Sequence, residues 1–433
     1  MEKFVVNPGG NLQGVCRVPG DKSISHRAIM LGAIAEGVTR VNGFLEGEDT
    51  LATLAVFRAL GVSIDGPIDG KVVITGVGLH GLHAPKEALY LGNSGTSMRL
   101  LTGLMAGQGF SVEMTGDVSL SSRPMRRVTV PLIEMGARIE TNDEGTPPLK
   151  IQGGQRLQAI NYKMPVASAQ VKSCLLLAGL YADGVTCVTE PAPTRDHTER
   201  MLAGFGYELK RDTGRVCLES GGKLQGMSID VPADISSAAF FMVGATIAEG
   251  SNILLEHVGI NPTRIGVINI LREMGADISL LNEREIGGEP VADIRVCSSK
   301  LHGIEISREQ VPLAIDEFPA LFIAAACAKG KTILKGAQEL RVKESDRIQV
   351  MADGLQTLGI VAEPTPDGMV IQGGQFKGGV VNSHGDHRVA MAFAMAALCA
   401  SEPIIIEDCA NVATSFPNFV KLAQVAGIDI GDS

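Results

Sequence analysis

The chain contains no tryptophan, and only four tyrosines and 13 phenylalanines among 433 residues. So thin a supply of rings argues against the stacking platforms that hold single-stranded nucleic acid. Net positive charge is also lacking: 48 acidic residues outnumber 38 Lys and Arg, leaving a formal charge of −10. Such a chain has no general attraction for nucleic acid or an anionic membrane, although a local basic cleft is compatible with it. Long apolar runs are missing. ALFIAAACA and MAFAMAALCA fall well short of the ~18 residues of a membrane span. The N-terminal MEKFVVNPGGNLQGV shows no basic stretch followed by an apolar core, so no signal peptide is expected. The eight cysteines, at 16, 174, 187, 217, 297, 327, 399 and 409, include no C-x-x-C pair. That spacing suggests neither a zinc site nor a redox motif. Buried, reduced thiols in a cytoplasmic protein are expected instead.

Glycine, by contrast, is abundant at 52 residues, which points to many tight turns and short elements. Two patterns recur. In the first, a small or polar residue opens an apolar, alanine-rich helix: SISHRAIMLGAIAEG from 23, GTSMRLLTGLMAGQG from 95 and SAQVKSCLLLAGLYADG from 168. It returns as SSAAFFMVGATIAEG from 236, DEFPALFIAAACAKG from 316 and DHRVAMAFAMAALCAS from 386. In the second, a helix ends in Gly and a strand follows: FRALGVSI, IEMGARIE, AGFGYELK, REMGADIS, QTLGIVAE and QVAGIDIG. The Gly suits a left-handed helix cap, and the alternation after it suits a strand. One copy of the second pattern follows each copy of the first. A repeat of about 70 residues exceeds the usual 20–50 of solenoids, so globular subdomains are expected rather than a rod. Six units divide as three plus three. The expected domains are 21–231 and 1–20 plus 232–433, with crossings near 19–21 and 230–235, where VPAD interrupts the pattern.

Polar residues gather where the first-pattern helices begin: PGDKSISHR, GNSGTSMR, ASAQVK, IDEFP and HGDHR. Loops add SSRPMRR, PTRDHTER, NPTR and LRVKESDR. Helix N-termini attract anions, Gly-rich turns let backbone N–H groups approach them, and Arg and Lys clamp phosphate or carboxylate. Recurrence at equivalent repeat positions points to a site for strongly anionic small molecules. Taken singly, each motif has a plainer reading. Ser168 suits a helix cap, and RDHTER and RVKESDR suit solvated helix faces. HGDH offers two imidazoles and a carboxylate but no further ligand group, so no metal is expected. Asp316, at the head of its helix, and Glu344, between Lys343 and Arg347, are acid–base candidates. Carboxylates beside cations stay ionised, which suits a general base or a relay paired with Lys.

In their order along the whole chain, PGDKSISHRA, GNSGTSMR, RPM, SAQVKS, DEFP, RVKESDR, DHRVAM and TSFP resemble the 5-enolpyruvylshikimate-3-phosphate (EPSP) synthase family. Gly20–Ser23, Ser168–Lys172, Arg195–Glu199 and Asn261–Arg264 resemble its class II bacterial branch. The resemblance implies an α/β fold: a two-domain inside-out barrel of six βαβαββ units, three per domain, closing on substrate. It implies transfer of the enolpyruvyl group of phosphoenolpyruvate to the 5-hydroxyl of 3-phosphoshikimate, through a tetrahedral intermediate, with no cofactor. A cytoplasmic monomer without nucleic-acid or membrane partners is expected. By the same resemblance Lys22, Ser23, Arg27, Ser168, Ala169, Gln170, Arg195, Asp316 and Lys343 contact 3-phosphoshikimate. Lys22, Gly95, Arg123, Gln170, Arg347 and Arg388 hold phosphoenolpyruvate. Asp316 accepts the hydroxyl proton, Glu344 serves the methylene carbon, and Lys22 bridges the substrates. Ser25 and His26 gain no role beyond capping or packing the first turn.

Two departures stand out. Class I relatives often carry Lys before T-F-P, where this chain has Ala413-Thr414-Ser415-Phe416-Pro417, the class II form. The branch implies tolerance to glyphosate, yet Gly95 stands where some strongly insensitive members carry Ala. The nearest rival, the UDP-N-acetylglucosamine enolpyruvyl transferases, usually has a loop Cys near TGDVSLSSRPM. None lies between Cys16 and Cys174 here. An RNA-binding protein of similar repeats is disfavoured by the acidity and the few rings, and a non-catalytic binding protein by the presence of Lys22, Asp316 and Glu344.

Overall fold

The computed structural model describes residues 3–432. They form two compact units. One comprises Gly20–Val231 with Ile286–Gly288; the other comprises the segment ending at Pro19, Pro232–Glu285 and the segment from Glu289 onward.

The Gly20–Val231 unit contains helices α1 (Lys22–Ile34), α2 (Glu48–Ala59), α3 (Gly95–Ala106), α4 (Val118–Ser121), α5 (Arg126–Glu134), α6 (Ala169–Gly179) and α7 (His197–Gly204). Its middle repeat shows the pattern best. Strand Leu89–Tyr90 leads through α3 to Val112–Thr115, then through α5 to the antiparallel pair Arg138–Glu140 and Leu149–Gln152. The sheet order is first, second, fourth, third, with one parallel pair followed by two antiparallel ones. A parallel pair needs a crossover, and the helix supplies it. The third repeat repeats this order with Asn161–Lys163, Val185–Thr189, Arg215–Glu219 and Lys210–Asp212. In the first repeat the leading strand is Ser228–Asp230, parallel to Glu36–Asn42. It comes from the far end of the segment.

The other unit contains α8 (Ile235–Ile247), α9 (Gly266–Glu273), α10 (Phe318–Cys327), α11 (Arg347–Thr357), α12 (His387–Ala396) and α13 (Phe419–Ala426). Here the N-terminal segment fills two gaps. Gln13–Cys16 is the leading strand beside Asn252–Gly259, and Phe4–Val6 lies between Ile404–Glu407 and Ile430–Asp432. The remaining sheet keeps three strands, Lys331–Leu334, Gly368–Gln372 and Val361–Thr365, its leading strand being reduced to isolated bridges at His302 and Glu305.

Helices α1, α3, α6, α8, α10 and α12 are the first-pattern helices. They are buried almost all round, as befits helices apolar on every face. Their polar residues are therefore confined mainly to the first turn. The second-pattern helices end just before Gly61, Gly136, Gly206, Gly275, Gly359 and Gly427, all at positive φ, the conformation in which glycine closes a helix at least cost.

The cysteines depart from expectation. Cys187 and Cys217 face each other across antiparallel strands, with Cα atoms 4.1 Å apart, and are joined as a disulfide. Directly opposed residues share one face of a sheet, and strand register, invisible in the spacing of the cysteines, creates the pair. Of the free thiols, Cys297, Cys327 and Cys399 are only partly buried.

Helix α3 packs on α6 at Gly103, where an added Cβ would collide with the Cys174 carbonyl oxygen. Overpacking of this kind costs about 1–3 kcal/mol. Gly103→Ala is expected to lower stability in urea by that amount; unchanged stability would show that the two helices can separate without cost.

Candidate active site

In the Gly20–Val231 unit, α1 is capped by Asp21, whose Oδ1 accepts from the Ile24 N–H at 2.9 Å. The other polar residues of that turn are thus released from capping. Lys22 Nζ lies 3.0 Å from Asp49 Oδ2 on α2. Arg27 is buried, and it donates to Thr198 Oγ1 at 2.7 Å, Ser173 Oγ at 2.9 Å and the Ser23 carbonyl at 2.9 Å. It therefore joins α1 to α6 and α7. Ser25 is no cap; its Oγ accepts from the Leu45 N–H at 3.1 Å.

Helix α3 is capped by Ser94 and begins at Gly95. A Cβ at Gly95 would stand 3.1 Å from Arg123 Nη1 and 3.3 Å from Arg99 Nη1. Arg123 is oriented by Asn93 Oδ1 at 2.6 Å and Ser119 Oγ at 3.1 Å. Gln170 accepts from Arg99 Nη1 at 2.5 Å and donates to Thr96 Oγ1 at 3.1 Å. Ser168 caps α6, so Ala169 and Gln170 form its opening residues. The structure thus gathers Gly95, Arg123 and Gln170 around Arg99. Sequence reasoning missed Arg99, although its place four residues after Gly95 puts it on the same helix face.

Arg195 lies between strand Val185–Thr189 and α7. The segment before it is fixed by buried Lys172, whose Nζ sits 2.7 Å from Glu199 Oε1 and 3.0 Å from Glu190 Oε2. Thr194 donates to Glu190 Oε2 at 2.6 Å. RDHTER is accordingly not a solvated face: His197, Thr198 and Glu199 are buried.

In the other unit, α10 begins at Phe318 with Glu317 at the N-cap. Asp316 was expected to open this helix. Pro at the start of a helix sets the boundary later and leaves Asp316 in the preceding turn. Its Oδ1 lies 3.2 Å from Lys343 Nζ and 3.4 Å from Arg347 Nη1. Arg388 Nη1 donates to the Asp316 carbonyl at 3.1 Å and lies 3.7 Å from Glu317 Oε1.

Arg347, 1% exposed, is the centre of this cluster. Asp386 takes its Nε at 2.8 Å and Nη2 at 3.3 Å, and Glu344 takes Nη2 at 2.7 Å. RVKESDR is therefore a buried charge cluster at this end, not a solvated helix face. Burial alone would push the Asp386 carboxyl up. The Arg347 charge and hydrogen bonds, helped by His387, outweigh burial and the repulsion of Glu344, and hold it below the ordinary carboxylate range. Burial likewise opposes the Arg347 cation, yet Asp386, Glu344 and Asp316 raise its pKa. Within HGDH, Asp386 is thus a counter-ion and the cap of α12, accepting from the Arg388 N–H at 3.0 Å. Among the described residues no group of three or more His, Cys, Asp or Glu could hold a metal ion.

The sequence profile of the family described as EPSP synthase (3-phosphoshikimate 1-carboxyvinyltransferase) matches residues 6–422. The chain belongs to the EPSP synthase family. It is 70% identical over 427 residues to the 3-phosphoshikimate 1-carboxyvinyltransferase of Methylococcus capsulatus, covering 99% of this chain and 98% of that protein. It is likewise 70% identical to the enzyme of that name from Nitrosococcus oceani, covering 99% and 96%. Among solved structures, EPSP synthase of Acinetobacter baumannii superposes with a TM-score of 0.91 at 60% identity over the full length of both chains. The enolpyruvyl transferase NikO of Streptomyces tendae shares the fold, with a TM-score of 0.82 at 15% identity over 100% of this chain and 99% of that one. The expected α/β enolpyruvyl transferase fold is therefore the one adopted.

For this EPSP synthase family member, the buried Arg347–Asp386 pair makes a direct test of stability. Removing one partner of a buried pair costs about 3–5 kcal/mol. Because the Asp386 pKa is lower folded than unfolded, its contribution is present above the unfolded value of about 3.9 and is lost as pH falls through the folded value. Asp386→Asn should thus lose about 3–5 kcal/mol in urea at pH 7, and the gap to wild type should shrink at pH 3. A gap independent of pH would remove the ionised carboxylate from the account.

Proposed function

We propose that the protein transfers the enolpyruvyl group of phosphoenolpyruvate to the 5-hydroxyl of 3-phosphoshikimate, releasing phosphate. The observation that carries the mechanism is the Asp316–Lys343–Arg347–Glu344 cluster. Two carboxylates contact one buried guanidinium on different nitrogens, so each is held in a separate place for a separate proton.

In the addition step Asp316 takes the proton of the 5-hydroxyl as its oxygen bonds to C2 of phosphoenolpyruvate, and Glu344, carrying a proton when substrate is bound, delivers it to the methylene carbon. In the elimination step the methyl group returns a proton to Glu344, the carbon–oxygen bond to phosphate breaks as the proton held by Asp316 passes to the departing phosphate, and the vinyl double bond re-forms. Lys343, 3.2 Å from Asp316, holds in place the carboxylate that acts as the base. Arg347 and Arg388 hold phosphoenolpyruvate. Nη1 of Arg347, whose carboxylate contact is the long one, is the arm that takes the anion. Reactants held in line can draw much of their acceleration from position alone.

The Gly20–Val231 unit carries anion contacts of its own. Ser168, the backbone of Ala169, Gln170 and Arg195 take the phosphate of 3-phosphoshikimate; Ser23 and Arg27 hold the same molecule. Gly95, Arg123 and Gln170 contact phosphoenolpyruvate. Lys22, already paired to one carboxylate, bridges the two substrates. A methyl at position 95 would press on the Arg123 guanidinium, so glycine there suits a tightly held anion. The protein acts as a cytoplasmic monomer and needs no metal or organic cofactor. The UDP-N-acetylglucosamine reaction is disfavoured because α4 and its flanks carry Ser119, Ser121 and Ser122 and no cysteine.

Purified protein should release phosphate from phosphoenolpyruvate only when 3-phosphoshikimate is supplied. Release with UDP-N-acetylglucosamine, or none with 3-phosphoshikimate, would overturn the assignment.

A further inference from the structure

His26 is the fifth residue of α1, fully buried, and the mechanism above does not use it. Its surroundings are specific. Lys22 and His26 are four residues apart on α1, and Asp49 and Thr53 are four apart on α2. Each pair therefore shares a helix face. The two faces meet as two rungs: Lys22 Nζ to Asp49 Oδ2 at 3.0 Å, and His26 Nδ1 to Thr53 Oγ1 at 2.8 Å. The second rung extends to α3. Ser97 Oγ lies 2.5 Å from Thr53 Oγ1 and 3.2 Å from His26 Nδ1, and it accepts from Ser94 Oγ at 2.9 Å. Ser94 is the cap that starts α3 at Gly95.

Hydrogen-bond counting and burial together assign the tautomer. Thr53 Oγ1 can donate to the Asp49 carbonyl at 3.2 Å, Ser97 to Thr53, and Ser94 to Ser97. In that arrangement each hydroxyl donates once and Nδ1 carries the ring hydrogen; were Thr53 to donate to Nδ1 instead, the hydrogen would sit on Nε2. The opposite tautomer would bury an N–H at Nε2, which has no hydrogen-bond partner among the described residues. A second proton would meet the same obstacle. It would also face the charges of Lys22 and Arg27, which together with burial hold the His26 pKa well below its ordinary value. Asp49 from α2 and the hydroxyls of Thr53, Ser94 and Ser97 complete the surroundings.

We propose that His26 is a positioning residue for the transfer reaction. As a neutral imidazole donating from Nδ1 to Thr53, it holds α2 against α1 in the register at which Asp49 orients Lys22. Through Ser97 it ties that register to the α3 turn bearing Gly95. The inference rests on the reading of Lys22 as a substrate contact. Displacing a reacting group by about 1 Å can cost about 10²-fold in rate, so loss of the second rung has a kinetic signature.

Three variants and one spectrum test it. His26→Leu removes the donor. His26→Asn returns an amide N–H close to the position of Nδ1. Lys22→Met removes the group being positioned. His26→Leu should lower kcat/KM for phosphoenolpyruvate at least tenfold, while His26→Asn stays within threefold of wild type. In the Lys22→Met background, His26→Leu should change the residual kcat/KM by less than threefold. A His26→Leu enzyme within threefold of wild type overturns the proposal. So does an equal loss in His26→Asn, or a full multiplicative loss in the Lys22→Met background, either of which marks a merely structural role. Wild-type turnover by Lys22→Met itself would instead overturn the reading of Lys22, and it is seen without touching His26. Nitrogen-15 NMR of the wild-type imidazole needs no variant to fold. It should show a neutral Nδ1–H ring from pH 6 to 9; an Nε2–H ring, or titration near the ordinary value of about 6.5, overturns the proposal.

Discussion

A guanidinium taken out of water must be paired, and Arg347 is paired three times over, to Asp386, Glu344 and Asp316. A buried ion pair is weak support for stability, since desolvation offsets most of the attraction. Its value here is placement. Asp386 caps α12, Glu344 precedes α11, and Asp316 precedes α10. One side chain thus fixes the ends of three helices from two successive repeats, and with them the two carboxylates to which the proton transfers are assigned. Arg388, bonded to the Asp316 carbonyl, extends the cluster.

The Gly20–Val231 unit solves the same problem with more hydroxyls. Its inner helices are apolar on all sides, so polar groups have room only at the first turns. Arg27 is enclosed by Thr198 and Ser173, Lys172 by Glu190 and Glu199, and His26 by Thr53 and Ser97. These contacts join α1, α3, α6 and α7 near their N-terminal ends, with α2 held at Thr53 in its middle. That end of a helix is also where unpaired N–H groups and the macrodipole favour anions. One arrangement therefore packs the unit and presents helix ends of the kind that favour anions.

Much of this was legible in the residues. The six inner helices begin at 22, 95, 169, 235, 318 and 387, within two residues of the starts read from the apolar runs, because an all-apolar helix with a polar opening leaves little ambiguity. The glycines closing the outer helices were equally plain. Strand partners were not. Nothing in Gln13–Cys16 or Ser228–Asp230 says which sheet each will join, because pairing across 200 residues is decided by packing. The Cys187–Cys217 bond was hidden for the same reason. At the site, the polar cluster holding Lys22 and Arg27 was visible, because the apolar run of α1 marks where it begins. Asp49 could not, since it reaches Lys22 from another helix. Arg99 was passed over because an arginine inside an apolar helix reads as a surface residue until its neighbours are known.

The central claim is that Asp316 is the base for the 5-hydroxyl and not merely a counter-ion for Arg347 and Lys343. Asp316→Asn keeps the size and an acceptor oxygen while removing the base. Titration calorimetry with 3-phosphoshikimate, paired with single-turnover kinetics, separates the two roles. The account predicts affinity within tenfold of wild type and a fall in the chemical step of about 10²–10⁴-fold, the usual worth of a positioned base. Wild-type turnover with weakened binding would contradict it.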